Sequence, residues 1–247
     1  MSTRHSYWEL PGLEKDRLAA TKAKQPPAFR PAPRIQESFS AAAEKRLLIW
    51  LAERLPARIN SDHLTALGAA AMLLAGASYA LARFDRRALL LACFFVALNW
   101  LCDSLDGTLA RVRRCQRPRY GFYVDHVLDT FGAFFLMGGL ALSGYVHPGI
   151  ALGMLIAFLM LSAEVYLATY TLGSFHMSFW KFGPTEIRLF LIAGNLALLR
   201  SPTAHLFGRS FRLFDVGGAV AIASMGVMLV VSAARHIVQL YREEPLP

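Results

Sequence analysis

Cysteine is scarce in this chain, and acidic residues are outnumbered by basic ones. The three cysteines, Cys93, Cys102 and Cys115, are odd in number and show no metal-ligand spacing. A disulfide scaffold is therefore not indicated. Cys93 and Cys102 fall in apolar sequence and read as core or lipid-facing residues, and Cys115 reads as a loop thiol. Residues 1–40 lack the apolar stretch of a cleaved signal peptide. No internal repeat is visible, which argues against a solenoid. Asp and Glu number 17 against 26 Lys and Arg, a net charge of +9. The basic residues cluster rather than scatter, and no nucleic-acid partner is expected.

What the chain has instead is apolar sequence. Of its 247 residues 55% are hydrophobic, and mean hydropathy is +0.39. Soluble domains have a smaller apolar share. Residues 1–38 carry five prolines among lysines and arginines and read as a basic, poorly structured tail. Residues 39–240 read as one membrane domain. It begins with an amphipathic helix over 38–58, whose Leu47, Leu48, Trp50, Leu51 and Leu55 share a face suited to an anionic membrane surface.

Six runs of roughly spanning length follow. They cover about 63–82, 88–105, 121–145, 150–172, 185–199 and 214–234. The expected fold class is all-α: an integral membrane bundle of six transmembrane helices with an N-terminal amphipathic surface helix. Six spans put both termini on one side. With the termini in the cytoplasm, only Arg83, Arg86, Arg87, Arg200, Arg209 and Arg212 fall outside. The positive-inside rule selects that orientation.

The stretch from Asp103 to Asp129 organises the rest. It reads DSLDGTLARVRRCQRPRYGFYVDHVLD. Asp103 and Asp106 are three residues apart, and Asp125 and Asp129 are four apart, so each pair shares a helix face. Two facing helix ends would gather the four carboxylates into one box. Unpaired carboxylates repel, so the box calls for cations, and an all-oxygen ligand set suits hard ions such as Mg2+, Mn2+ or Ca2+. Arg111, Arg113, Arg114, Arg117 and Arg119 lie between the pairs and point to an anionic partner, most simply a phosphate. The box opens on the cytoplasmic side, where nucleotide-activated substrates are found.

These residues resemble the signature of the CDP-alcohol phosphotransferase (CDP-alcohol phosphatidyltransferase) family, DxxDGxxAR followed by GxxxDxxxD. Asp103, Asp106, Gly107, Ala110 and Arg111 fit the first half, and Gly121, Asp125 and Asp129 the second. The resemblance implies two divalent ions, Mg2+ or Mn2+, on Asp103, Asp106, Asp125 and Asp129. It implies that Asp129 is also the base for the acceptor hydroxyl. Gly107, Ala110, Arg111 and Gly121, with Asp103, would form the nucleotide site. His126 is the rival base. It follows the third aspartate as in the choline and ethanolamine branch, but it stands one residue off the aspartate face. The implied partners are a CDP-linked donor, an alcohol acceptor, membrane lipids and a second copy in a homodimer.

Other polar residues interrupt the apolar runs: Asn99, Glu164, Glu186, Arg188 and Asn195. Glu186 and Arg188, just after Gly183-Pro184-Thr185, either begin a helix or line the acceptor pocket. Glu164 is expected to pair with an arginine inside the membrane. His63, His147, His176 and His205 are given no role.

The expected reaction is metal-dependent transfer of a substituted phosphate group from a CDP-alcohol to an alcohol, releasing CMP, in phospholipid synthesis. CDP-diacylglycerol with a small polar acceptor is the favoured pairing. The alternative is transfer from CDP-choline or CDP-ethanolamine to diacylglycerol. Two more distant readings remain. An intramembrane prenyltransferase would share the Asn99-x3-Asp103 pattern but needs a second aspartate motif far along the chain. A divalent cation transporter would have no use for DGxxAR and would hold its acids nearer the bilayer midplane.

Overall fold

The computed structural model describes residues 41–172, 184–206 and 208–244. Seven helices and one short hairpin are present among them. Helix α1 is Ala41–Arg54, α2 Ser61–Leu81, α3 Ala88–Val112, α4 Pro118–Leu142, α5 Pro148–Leu172, α6 Pro184–Arg200 and α7 Leu213–Glu243. The tail expected over 1–38 lies outside the described residues.

The helix boundaries follow local chemistry. Before α2, the Asn60 side chain accepts from His63 N at 2.9 Å, and His63 Nδ1 accepts from Asn60 N at 3.3 Å. This reciprocal capping box satisfies two donors at the helix start. Helices α4, α5 and α6 each begin on a proline, where the missing N–H costs nothing and φ is already helical. Helix α3 ends in a Schellman turn. Arg114 has φ +54°, Cys115 N donates to Ala110 O at 3.0 Å, and Arg114 N donates to Arg111 O at 3.2 Å. Glycine usually takes this left-handed position, so an arginine there is unusual.

Five of the helices, α2, α3, α4, α5 and α7, are long and apolar enough to cross a membrane. Helix α6 has 17 residues, at the short end of the spanning range. The spans differ at their ends from the sequence expectation. Helix α3 does not stop near residue 105 but carries Asp103 and Asp106 inside it to Val112. Helix α7 runs nine residues beyond 234 to Glu243. Between α6 and α7 the chain forms an antiparallel hairpin, Thr203–Leu206 (β1) with Arg209–Arg212 (β2). The hairpin is a small addition to an otherwise all-helical fold, and Gly208 at φ +76° supplies the conformation its turn needs.

Helices α2, α3 and α4 form the packed centre. Gly76 on α2 lies against α4: a Cβ on Gly139 would collide with the Gly76 backbone, and one on Gly76 with the Phe135 backbone. Such contacts replace the hydrophobic effect as the glue between helices in lipid. Around this point Ala75, Tyr79, Leu89, Ala92, Val96, Leu136 and Leu140 are buried. Helix α6 is tied to this centre by polar contacts. Tyr79 Oη donates to Asn195 Oδ1 at 2.9 Å, and Arg86 donates to the Leu198 carbonyl at 2.6 Å. Trp100 Nε1 donates to Thr185 Oγ1 at 3.3 Å.

Helix α1 covers one end of the bundle. Leu48 and Ala52 are buried with Leu64, Leu105 and Leu109, whereas Leu47 and Trp50 are about half exposed, at 49% and 50%. The apolar face is thus divided between the bundle and the outside. Arg113 fixes the turn below α1 by donating to the carbonyls of Leu55, Pro56 and Ile59.

Helices α5 and α7 pack on each other at the edge. The Glu164 partner is not an arginine: His236 Nδ1 lies 2.6 Å from Glu164 Oε1. The partner comes from α7, which brings an imidazole against one carboxylate oxygen and leaves Oε2 without a hydrogen bond among the described residues. Replacing His236 with Ala leaves a carboxyl unpaired between two spans, and the helix pair should loosen. The expected loss is about 1–2 kcal/mol by analogy with other intramembrane polar contacts, hence a fall of a few degrees in the Tm of the detergent-solubilised protein. Glu164→Gln, which keeps a hydrogen-bonding group, should lose less. An unchanged Tm in His236→Ala would show that the pair does not hold α5 to α7.

Candidate metal centre

The lower part of the bundle, where α2 and α4 begin and α3 ends, is arranged around acid side chains. Asp103 and Asp106 are on α3, and Asp125 and Asp129 are on α4. All four line one cavity of about 20 Å³, together with Thr65, Gly68 and Asn99. Carboxylate oxygens of Asp103, Asp125 and Asp129 lie within 4.8 Å of one another. Asp129 is the exposed member of this trio.

Asp106 is held slightly differently. Thr65 Oγ1 donates to its Oδ2 at 2.6 Å, and its Oδ1 accepts from Gly107 N. Its backbone carbonyl accepts from Ser61 Oγ at 2.9 Å. The carboxylate is thus steered from the first turn of α2. Thr65 carries no sequence signal for this role, because its partner is 41 residues away. Arg188, from α6, meets Asp103 at 2.9 Å.

The electrostatics call for counter-charge. Two carboxylates 4.8 Å apart repel by about 3.5 kcal/mol at an effective dielectric of about 20. The trio contains three such pairs, and Arg188 supplies one positive charge. A divalent ion restores neutrality, and the donors are all oxygen, as a hard cation requires. The residues present therefore fit such an ion.

The remaining sequence candidates are distributed around this cavity rather than in its wall. Gly107, Ala110 and Arg111 continue along α3 beyond Asp106, and Gly121 lies one turn before Asp125 on α4. A Cβ on Gly121 would meet nothing within 4 Å, and one on Gly107 would meet only the Arg111 guanidinium at 3.5 Å. The space beside both glycines is open, as approach of a ligand to the backbone requires. Arg111 donates to Thr108 Oγ1 at 2.9 Å. The other arginines of the stretch do not act as one anion-binding group. Arg113 holds the turn after α1, and Arg117 pairs with Asp62 and stacks on Tyr120, 4.2 Å from the ring centre. Arg114 and Arg119 are exposed.

His126 is not among the residues that line the aspartate cavity. Its Nδ1 is 2.7 Å from the Phe122 carbonyl, which requires that nitrogen to carry the proton. Its ring lies against Phe122 and meets Tyr166 edge-on, with centroids 5.0 Å apart. Nδ1 is 3.8 Å from Asp125 Oδ2. The Glu186 side chain lies outside the described residues.

The profile of the CDP-alcohol phosphatidyltransferase family matches residues 59–237. The chain belongs to that family. No curated protein matches the sequence. The family match takes in α2 through most of α7 and so includes every residue that lines the aspartate cavity. It gives the chain's class as a transferase acting on CDP-alcohols, in keeping with its membrane-spanning helices.

Arg188 offers a direct test of the electrostatic account. Removing it with Arg188→Gln leaves Asp103 without a charged hydrogen bond, a loss of about 1.5–3 kcal/mol. In chelator the variant should melt several degrees below the parent protein. Adding Mn2+ should raise its Tm by more than it raises the parent's, because the ion then relieves more repulsion. Equal Mn2+-induced shifts in both proteins would contradict the electrostatic coupling of Arg188 to the cluster.

Proposed function

We propose that this protein is an integral membrane enzyme that transfers a substituted phosphate group from CDP-diacylglycerol to a small alcohol, releasing CMP. The observation that carries this reading is the meeting of the family's aspartates in one cavity, three of them with carboxylate oxygens within 4.8 Å. Asp103, Asp106, Asp125 and Asp129 would hold two divalent ions, Mg2+ or Mn2+. Such ions, when bound, neutralise charge on the phosphates and lower the barrier to phosphoryl transfer.

The chain's own residues do the rest. Gly107 and Gly121 leave the approach to the helices open, and Arg111 is placed to grip a phosphate of the nucleotide. The acceptor hydroxyl attacks the phosphorus that carries the donor's alcohol. The new P–O bond forms as the bond to CMP breaks, and CMP leaves with the bridging oxygen. The hydroxyl proton passes to Asp129. Two features favour Asp129 over His126 as base. Asp129 is the exposed carboxylate of the trio, so an acceptor can reach it. His126 does not line the cavity, and it is engaged by Phe122 and Tyr166. Arg188, beside Asp103, and Glu186 would border the acceptor.

The same reading extends to the whole molecule. Helix α6 serves as the sixth span, which returns both termini to the cytoplasm and opens the aspartate cavity there. Residues 39–240 form the catalytic unit and 1–38 a basic tail. The exposed Leu47 and Trp50 of α1 rest in the membrane interface. The exposed apolar faces of α5 and α7 meet lipid and a second copy of the chain in a homodimer. Transfer from CDP-choline or CDP-ethanolamine to diacylglycerol is the second reading, favoured by the histidine after Asp125.

Purified protein assayed with CDP-diacylglycerol and a panel of alcohols should release CMP, stop in EDTA and recover with Mg2+ or Mn2+. Asp125→Ala should abolish turnover. Asp129→Asn should fall at least as far as a lost general base, about 10²–10⁴-fold, and His126→Ala by less. CMP release in excess chelator would sink the metal-dependent reading. A dead His126→Ala beside an active Asp129→Asn would reverse the base assignment, and turnover with CDP-choline alone would replace the donor.

A further inference from the structure

Asn99 stands one helical turn before Asp103 and two before Asp106 on the same face of α3. It is buried, with 6% of its surface exposed. Its Nδ2 donates to the Gly68 carbonyl on α2 at 3.1 Å. That contact fixes the amide's orientation, because a carbonyl oxygen can only accept and so must face the NH2 group. The other end, Oδ1, is then an acceptor, and among the described residues it has no hydrogen-bond partner. Asn99 lines the aspartate cavity.

Buried amide oxygens are rarely left without a donor. The charged groups of the α3 and α4 carboxylates cannot supply one, since ionised carboxylates only accept. Arg188 is directed to Asp103 and Thr65 to Asp106. A donor small enough for a cavity of about 20 Å³ is a water molecule, and Mg2+ and Mn2+ sites commonly retain water among their ligands.

We propose that Asn99 is a further residue of the cation site, its Oδ1 accepting a hydrogen bond from a water bound to the ion. This rests on the reading of the aspartate cavity as a divalent cation site. Asn99 is a buried part of that site's wall, whereas Asp129 is its exposed member. Its Nδ2–Gly68 contact anchors the oxygen, and the missing side chain at Gly68 lets α2 come close enough for that. A Cβ there would stand 3.3 Å from Cys102 Cβ. In this role Asn99 is a positioning residue: it orients a ligand of the ion rather than touching the reacting atoms.

The test separates the two ends of the amide. Mn2+ affinity is measured by electron paramagnetic resonance on the purified full-length protein in detergent, without substrate. Asn99→Leu removes donor and acceptor, and should weaken Mn2+ binding ten-fold or more, the usual effect of losing an outer partner of a metal site. Asn99→Asp keeps the oxygen but loses the donor to Gly68. It should bind Mn2+ at least as tightly as the parent. Ser232→Ala, which removes another buried polar group, on α7, should leave Mn2+ affinity unchanged. If Asn99→Asp weakens binding as much as Asn99→Leu, the residue matters only through its contact with Gly68 and the proposal falls. Unchanged affinity in Asn99→Leu, or an equal loss in Ser232→Ala, overturns it as well. Should Asn99→Leu not fold, the comparison of Asn99→Asp with the parent decides alone. If the parent itself binds no Mn2+, the underlying cation site fails, an outcome distinct from failure at Asn99.

Discussion

Mutual repulsion among acid side chains sets the terms for this protein. Three carboxylates lie within 4.8 Å of one another, with a fourth on the same cavity, at one end of a bundle that is otherwise apolar. Left without counter-charge, such a group would drive α3 and α4 apart. The surrounding structure resists this. Glycine contact between α2 and α4 locks the spans together, Thr65 steers Asp106 from α2, and Arg188 brings α6 to Asp103. Four helices thus hold the charges in place before any ion arrives. A site prepared in this way binds a cation without first reorganising.

Polar contacts between the helices join several different pairs of them. Tyr79–Asn195 joins α2 to α6, Asn99–Gly68 joins α3 to α2, and Glu164–His236 joins α5 to α7. In lipid there is little hydrophobic gain in bringing helices together, so small-residue packing and these contacts decide which helices are neighbours. The acid site therefore depends on contacts far from it, because α6 must be docked for Arg188 to reach Asp103.

Much of this was legible in the chain itself. The DxxDGxxAR and GxxxDxxxD spacings located the four aspartates, since helix periodicity alone puts each pair on one face. Long apolar runs located five spans. The ends were harder. Helix α3 continues past its apolar run because the polar residues from Asp103 to Arg111 still favour a helix and face a cavity rather than lipid. Across 203–212 short-range strand pairing forms a hairpin, which no apolar periodicity announced. Partners across the bundle were invisible for a plain reason: Thr65 with Asp106 and Glu164 with His236 are 41 and 72 residues apart, and nothing local encodes such pairs. The arginine-rich loop misled in part. Its charge pointed to an anion, but Arg113 and Arg117 serve the turn after α1 and Asp62. The same charge count could not distinguish a ligand-binding guanidinium from one that caps backbone carbonyls.

The central claim is that the aspartate cavity is a two-ion centre. The most direct measurement is the number and magnetic coupling of Mn2+ ions bound per chain, read by electron paramagnetic resonance with the purified protein. Two ions bridged by shared carboxylates lie about 3.5–4 Å apart, so the account predicts two bound Mn2+ with a spin-coupled spectrum that is lost in Asp125→Ala. A single isolated Mn2+ signal, or two uncoupled ions unaffected by Asp125→Ala, would contradict it.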